Sequence, residues 1–309
     1  MVRLRTQILF SCGYFSVFPS YLYVFNIFSA QFAEFSRFAG MLVHRKSGDT
    51  MAKVIALANQ KGGVGKTTTC VNLACALHKM GKRVLLCDMD PQGHASIGFG
   101  INKRDGKPTI YELLVGQVET RAAIRKTPYG DLLSSNTNLA GAEVEMIEFE
   151  NRHARLRDAL SIVQTEYDFI LIDCPPSLGQ LTINALCAAD SVLVPVDCGF
   201  YALEGLSALT ATMSTIKKSM NPNLDIEGVL LTMFDGRTNL SIQIAQEVKR
   251  FFPGKVFSAA IPRNVRLAEA PSHGKPIQEY DRLSRGAECY GLLAQEIVLK
   301  NQQEAEAKL

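Results

Sequence analysis

The eight cysteines of this 309-residue chain never stand together: they fall at 12, 70, 75, 87, 174, 187, 198 and 289, with no C-x-x-C pair. That excludes the framework of a disulfide-stapled secreted domain and gives no zinc site. Most of these thiols lie in apolar runs as small hydrophobes, a pattern that fits a reducing cytosol. A charge excess is missing too. The formal net charge is +3, but Arg3, Arg5, Arg37, Arg45 and Lys46 against Glu34 and Asp49 supply all of it. From Met51 onward acids and bases balance, so bulk charge gives no argument for nucleic acid, and such a claim needs a local cluster. No internal repeat or low-complexity stretch is visible. What is there, 47% hydrophobic and 20% charged residues, suffices for one or two globular cores.

Residues 1–50 differ from the rest. Thr6 to Ala33 carries no charge and holds Phe10, Phe15, Phe18, Phe25, Phe28 and Phe32. A leader or membrane anchor is disfavoured, because Pro19, Asn26, Gln31 and several serines interrupt the run and no small-residue cleavage site follows. Met51, followed at once by Ala-Lys-Val-Ile-Ala-Leu, is a natural start for what comes next. Residues 1–50 are therefore read as an over-extended frame, expected to be poorly ordered or loosely packed. Residues 51–300 are read as one domain and 301–309 as a polar, frayed tail.

An apolar run, Val54 to Ala58, leads into Lys61-Gly-Gly-Val-Gly-Lys-Thr-Thr-Thr69, and helical apolar spacing follows to Met80. A glycine-rich turn between strand and helix points several backbone N–H groups at one anion, with the helix dipole behind them. Lys66 is placed to reach the β- and γ-phosphates of ATP, and the Thr67 hydroxyl to hold Mg²⁺. Val84 to Asp90 reads as a buried strand ending in Asp88-Met-Asp90-Pro-Gln-Gly, and Tyr167 to Asp173 as another ending in Asp173-Cys-Pro-Pro. Carboxylates at strand ends of an open α/β sheet lie where ligands bind. Asp173 has the pattern of a Walker B acid holding Mg²⁺ through water. Asp90 is placed to orient water or Mg²⁺, whereas Asp88 is more readily explained as beginning the turn. Further strands are expected at 191–196, 226–235 and 256–262, with short helices at 109–115 and 121–124 and longer ones at 203–218 and 240–252. The alternation predicts a doubly wound, mostly parallel sheet with helices on both faces. His153, beside Arg152 and Arg155, is expected on a solvated face.

Lys61-Gly-Gly-x-Gly-Lys-Thr-Thr, with Gln60 where the general loop has glycine, resembles the deviant Walker A box of the ParA/MinD class of ATPases. Asp88-x-Asp-Pro-Gln-Gly, Arg237-Thr-Asn-Leu, Ile261-Pro-Arg-Asn-Val-Arg266 and Tyr280 to Glu288 extend the likeness to Soj-type chromosomal ParA proteins over essentially all of 51–300. The resemblance implies an ATP-dependent homodimer, sequence-independent DNA binding, and hydrolysis stimulated by a ParB/Spo0J-like partner. It implies a cytoplasmic, nucleoid-associated protein. By the same likeness Lys61 reaches the second copy's nucleotide, Gly62 leaves room for the opposing loop, and Asp90 is the hydrolysis residue. Gly63, Val64, Gly65 and Thr68 complete the cradle, and Met233, Pro262 and Asn264 lie near the adenine. Arg237 and Arg266 form the DNA surface, with Arg263, Lys275, Arg282 and Arg285 as further candidates. A MinD-like membrane-surface ATPase is the alternative, but Lys300 to Leu309 is too polar for its amphipathic helix, and no stable membrane association is expected.

Overall fold

The computed structural model describes residues 51–102, 108–199 and 202–307. The expectation for residues 1–50 lies outside them. From Met51 the elements run β1 (Lys53–Leu57), α1 (Lys66–Lys79), β2 (Val84–Asp88), α2 (His94–Gly98), α3 (Ile110–Leu114), α4 (Thr120–Ala123), β3 (Ile124–Thr127) and β4 (Gly130–Leu133). They continue with α5 (Leu139–Glu145), α6 (Arg155–Ser161), β5 (Phe169–Asp173), α7 (Gln180–Ala188), β6 (Ser191–Asp197), α8 (Ala202–Ser219) and β7 (Asp225–Thr232). The last are α9 (Asn239–Phe251), α10 (Val265–Glu269), α11 (Ile277–Tyr280) and α12 (Arg285–Glu306).

The seven strands form one sheet in the order β3-β4-β2-β5-β1-β6-β7. All pairings are parallel except β3 with β4. The expected doubly wound sheet is what the chain forms. Its central strands are apolar on both faces because helices cover both. Along β1, Val54 and Ala56 enter one core while Ile55 and Leu57 enter the other. The first core takes Ile110, Leu139, Leu156, Leu181 and Leu206 from α3 and α5 to α8, and the second takes α1 and α12. In α1, Cys70, Leu73, Ala74 and Leu77 supply the buried stripe at helical spacing. His78 and Lys79 in its last turn complement the dipole, and Gly81, at φ 79°, ends it.

Four local readings are corrected. Residues 256–262 do not form a strand: they meet β7 and the turn after it at isolated bridges, Val229 with Val256 and Phe234 with Pro262, and through the Ile261 N–H, which donates to the Leu231 carbonyl at 2.9 Å. The Glu296 carboxylate takes the Ser258 and Ala259 N–H groups that a ladder needs, and proline has none to give. Ile124, read as the end of a helix, opens β3 instead, because the Pro128-Tyr-Gly130 turn folds this segment back on β4. His153 is half-buried, with Nδ1 bonded to the Gln180 amide at 3.0 Å, and burial lowers its pKa. Residues 301–306 continue α12, anchored by Asn301, whose amide donates to the buried Glu227 at 3.2 Å.

Candidate functional site

The strand order brings three separate stretches of sequence to one end of the sheet. β1 lies between β5 and β6, so Asp173 at the end of β5 registers with Leu57, the last residue of the strand that leads into the glycine-rich loop. On its other side Asp173 registers with Asp88 of β2. The loop itself turns through Gly63 at φ 73° and Gly65 at φ 86°, values a side chain disfavours. Gly62 is different: its φ is not positive, and an added Cβ would meet nothing within 4 Å. Nothing inside the chain demands glycine there. One adjacent and one remote residue brace the loop. Asn59 bridges the Lys61 N–H and the Pro195 carbonyl, at 3.0 and 2.8 Å. Thr232 donates to the Val64 carbonyl at 2.8 Å.

Helix α1 begins at Lys66 with no side-chain cap and no acid in its first turn, so its N-terminal N–H groups remain available to an anion. Lys66 is buried, and its ammonium donates to the Lys61 carbonyl at 3.2 Å across the mouth of the loop. Burial lowers its pKa, against the pull of Asp173. Asp173 is wholly buried and neither carboxylate oxygen has a hydrogen-bond partner of ordinary geometry. Its pKa is driven up by burial first and by Asp88 second, with Thr67 and Lys66 pulling the other way. An unpaired buried carboxylate beside a threonine hydroxyl and a lysine is costly unless a cation joins it. This donor set fits Mg²⁺, which takes one or two protein oxygens and fills its octahedron with phosphate and water.

The two other acids are handled differently. Asp88 accepts from the Ser96 N–H and hydroxyl at 2.8 and 2.7 Å and from the Asp90 N–H at 3.2 Å. Its pKa is still pushed up to about 6, chiefly by burial. It anchors the turn, as expected. Asp90 accepts from the Gln92 N–H at 2.9 Å and sits at the rim, 9% exposed. Among the described residues its second carboxylate oxygen enters no bond of this kind.

Lys61 does not stand free. Its ammonium is clasped by both oxygens of Asp197, at 2.9 and 3.0 Å, at the end of β6. Asp197 is not singled out in the sequence, although an acid closing the apolar run of 191–196 is the same signal that marks Asp173. Ser96, Ser135 and Thr232 likewise carry no motif and are found only in the fold.

At the far side, Met233 closes β7 in a left-handed conformation, φ 50°, the single non-glycine case among the described residues. The turn that follows docks on 261–262, with Phe234 N–H donating to the Ile261 carbonyl at 3.0 Å. Met233 and Pro262 are thus neighbours, and Asn264 caps α10 by accepting from the Arg266 N–H at 2.8 Å. Arg237 and Arg266 extend from these two adjoining loops. Both are exposed, and both are paired with local acids: Arg237 with Asp235 at 2.8 Å, Arg266 with Glu269 at 2.9 Å and Asp281 at 3.5 Å. Arg285 pairs with Glu288. Arg263, Lys275 and Arg282 are exposed and have no ion pair among the described residues.

Known proteins share this arrangement. A family model described as an AAA domain matches residues 52–226. The chain is 55% identical to the sporulation initiation inhibitor protein Soj of Bacillus subtilis (strain 168) over 249 residues, covering 80% of this chain and 98% of that one. It is 50% identical to the chromosome partitioning protein ParA of Myxococcus xanthus over 254 residues, covering 82% and 90%. Among solved structures it is similar to a cobyrinic acid a,c-diamide synthase from Mycobacterium smegmatis with bound ADP and magnesium. That match has a TM-score of 0.71 and 36% identity, and covers 80% of this chain and 94% of that one.

Proposed function

The chain belongs to the ParA/Soj family of chromosome-partitioning ATPases, and from that premise we propose that ATP joins two copies into a dimer that binds DNA without regard to sequence. Hydrolysis to ADP and phosphate, stimulated by a ParB/Spo0J-like partner, ends the DNA-bound state and lets cargo held by that partner move along the nucleoid.

The observation that supports this reading most is the unpartnered Asp173 carboxylate beside Thr67 and Lys66 at an uncapped helix N-terminus. Thr67 and Asp173 would hold Mg²⁺, and Lys66 with the loop amides would bind the β- and γ-phosphates. When bound, the metal neutralises charge on the transferring phosphoryl group. Asp90 orients the attacking water. Met233, Pro262 and Asn264 flank the adenine, and Gly63, Gly65 and Thr68 shape the cradle with Val64. Gly62, free of any need for glycine within its own chain, leaves space for the second copy's loop. Lys61 completes that copy's site by supplying positive charge in trans, and to do so it must leave Asp197. Arg237 and Arg266, with Arg263, Lys275 and Arg282 beside them, exchange acid partners or water for phosphates, releasing counter-ions from DNA.

Size exclusion of the full chain with Mg²⁺ and ATP tests the cycle. Wild type and Asp90→Ala should elute as dimers, the latter persistently, and Lys61→Ala as a monomer. Identical monomers throughout would sink the proposal.

A further inference from the structure

The turn that carries Asp90 is held by two serines that belong to none of the motifs. Ser96 lies in α2 and Ser135 just beyond β4, and both are fully buried. Ser96 donates its N–H and hydroxyl to one oxygen of Asp88, at 2.8 and 2.7 Å. The other oxygen of Asp88 accepts the Asp90 N–H at 3.2 Å. The Ser135 N–H donates to the Ser96 hydroxyl at 2.9 Å, and the Ser135 hydroxyl donates to the Asp90 carbonyl at 2.7 Å. A closed ring results, from the Asp90 N–H through Asp88, Ser96 and Ser135 to the Asp90 carbonyl. Each hydroxyl donates once, and that of Ser96 also accepts. A buried polar network in which every hydroxyl is used is rigid and has one arrangement.

The ring grips the main chain of Asp90 at its N–H and at its carbonyl, which also accepts from the Gly93 N–H at 2.8 Å, and leaves its side chain alone. The bond to that carboxylate comes from the Gln92 N–H, two residues on in the same turn, and moves with it. Where the carboxylate points relative to the phosphate loop therefore depends on the backbone, which the ring holds together with the Gly93 bond and the Met89 N–H, bonded to the Asp173 carbonyl at 2.9 Å. Water attack in line on a phosphoryl group tolerates little displacement of the group that orients it.

We propose that Ser135, with Ser96, is a positioning residue for ATP hydrolysis, fixing the backbone of Asp90 so that its carboxylate meets the attacking water. The inference rests on the reading of Asp90 as the hydrolysis residue. It assigns a function to the end of β4, a segment without any nucleotide-binding signature. Ser135 touches neither phosphate nor metal in this scheme and acts through Asp90 alone.

Steady-state hydrolysis by the full chain with Mg²⁺ and ATP, alongside binding of a non-hydrolysable ATP analogue and thermal melting, tests it. Ser135→Ala should lower kcat about tenfold, as expected for a misplaced rather than deleted group. KM and analogue affinity should stay within about twofold, because ground-state binding does not pass through Asp90. Ser135→Cys, a weak donor of similar size, should recover part of kcat. Ser96→Ala should act in the same direction, and the double variant should be no worse than the poorer single one, as for residues of one network. An unchanged kcat in Ser135→Ala, with wild type active and Asp90→Ala silent, overturns the positioning role alone. So does a loss of kcat matched by equal losses of nucleotide affinity and melting temperature. A fully active Asp90→Ala overturns the reading of Asp90, and the positioning role with it.

Discussion

The phosphate end of the sheet and the arginine-bearing segments 235–237 and 263–285 handle charge in opposite ways. At the first, Asp173 is buried without a hydrogen-bond partner and Lys66 is buried beside it. At the second, Arg237 is 89% exposed at its side chain yet doubly bonded to Asp235. Buried unpaired charge is expensive, so the fold must hold it there against its own stability, and a counter-charge entering the site gains strongly. Exposed pairs are weak, screened by salt and exchangeable. In the proposed function the first region takes a tight and geometrically demanding ligand, and the second an adaptable, salt-sensitive one.

The largest expected effect falls on the buried side. Asp90→Ala should reduce ATP hydrolysis by at least about a hundredfold while nucleotide binding survives, measured by phosphate release. Charge reversal of both Arg237 and Arg266 to Glu should come next. DNA affinity should fall by about a hundredfold or more, with a shallower salt dependence, since each lost phosphate contact removes about 0.9 from the log–log slope. ATP-dependent dimers should remain, and undiminished DNA binding by this variant would erase the contrast between the regions.

A milder test removes an acid instead. Asp235→Ala frees Arg237 and should tighten DNA binding by about threefold at low salt, the gain vanishing as salt screens it. No change would mean that Arg237 does not meet DNA.

The smallest effect is on stability. Burial raises the pKa of Asp173, and that of Asp88 to about 6, so the folded chain retains protons that the unfolded chain has already lost. The stability these groups provide is complete below the ordinary carboxylate range and is lost as pH rises through the raised values. Asp173→Asn does not titrate. In nucleotide-free buffer its melting temperature should exceed that of wild type by about 2–4 °C at neutral pH, the margin shrinking as pH falls. Mg²⁺ with ATP should stabilise wild type and not this variant. A margin that does not change with pH would show that Asp173 is not a strained acid.

Much of the site is legible in the sequence for a local reason. Gly63, Gly65, Lys66, Thr67 and Thr68 lie in backbone turns and a helix start that span a few residues. Asp90 and Asp173 sit where apolar strands stop. The adjoining 233–237 and 262–266 loops are reachable only through the family resemblance, because no local pattern reports that Phe234 docks on Pro262. The strand expected at 256–262 fails for a related reason: its apolar run is real, but a carboxylate from α12 captures the N–H groups that would have made the ladder.

By itself the sequence determined the alternation of apolar strands and amphipathic helices, the phosphate loop, and the acids that close β2 and β5. These follow from periodicity and turn chemistry within short windows. The tertiary structure alone decided which groups hold that machinery. Asp197 clasps Lys61 from 136 residues away, Thr232 braces Val64 from 168, and Ser135 grips Asp90 from 45. Hydrogen bonds between remote positions leave no period in the chain. They exist only once the strand order brings those positions together at one end of the sheet.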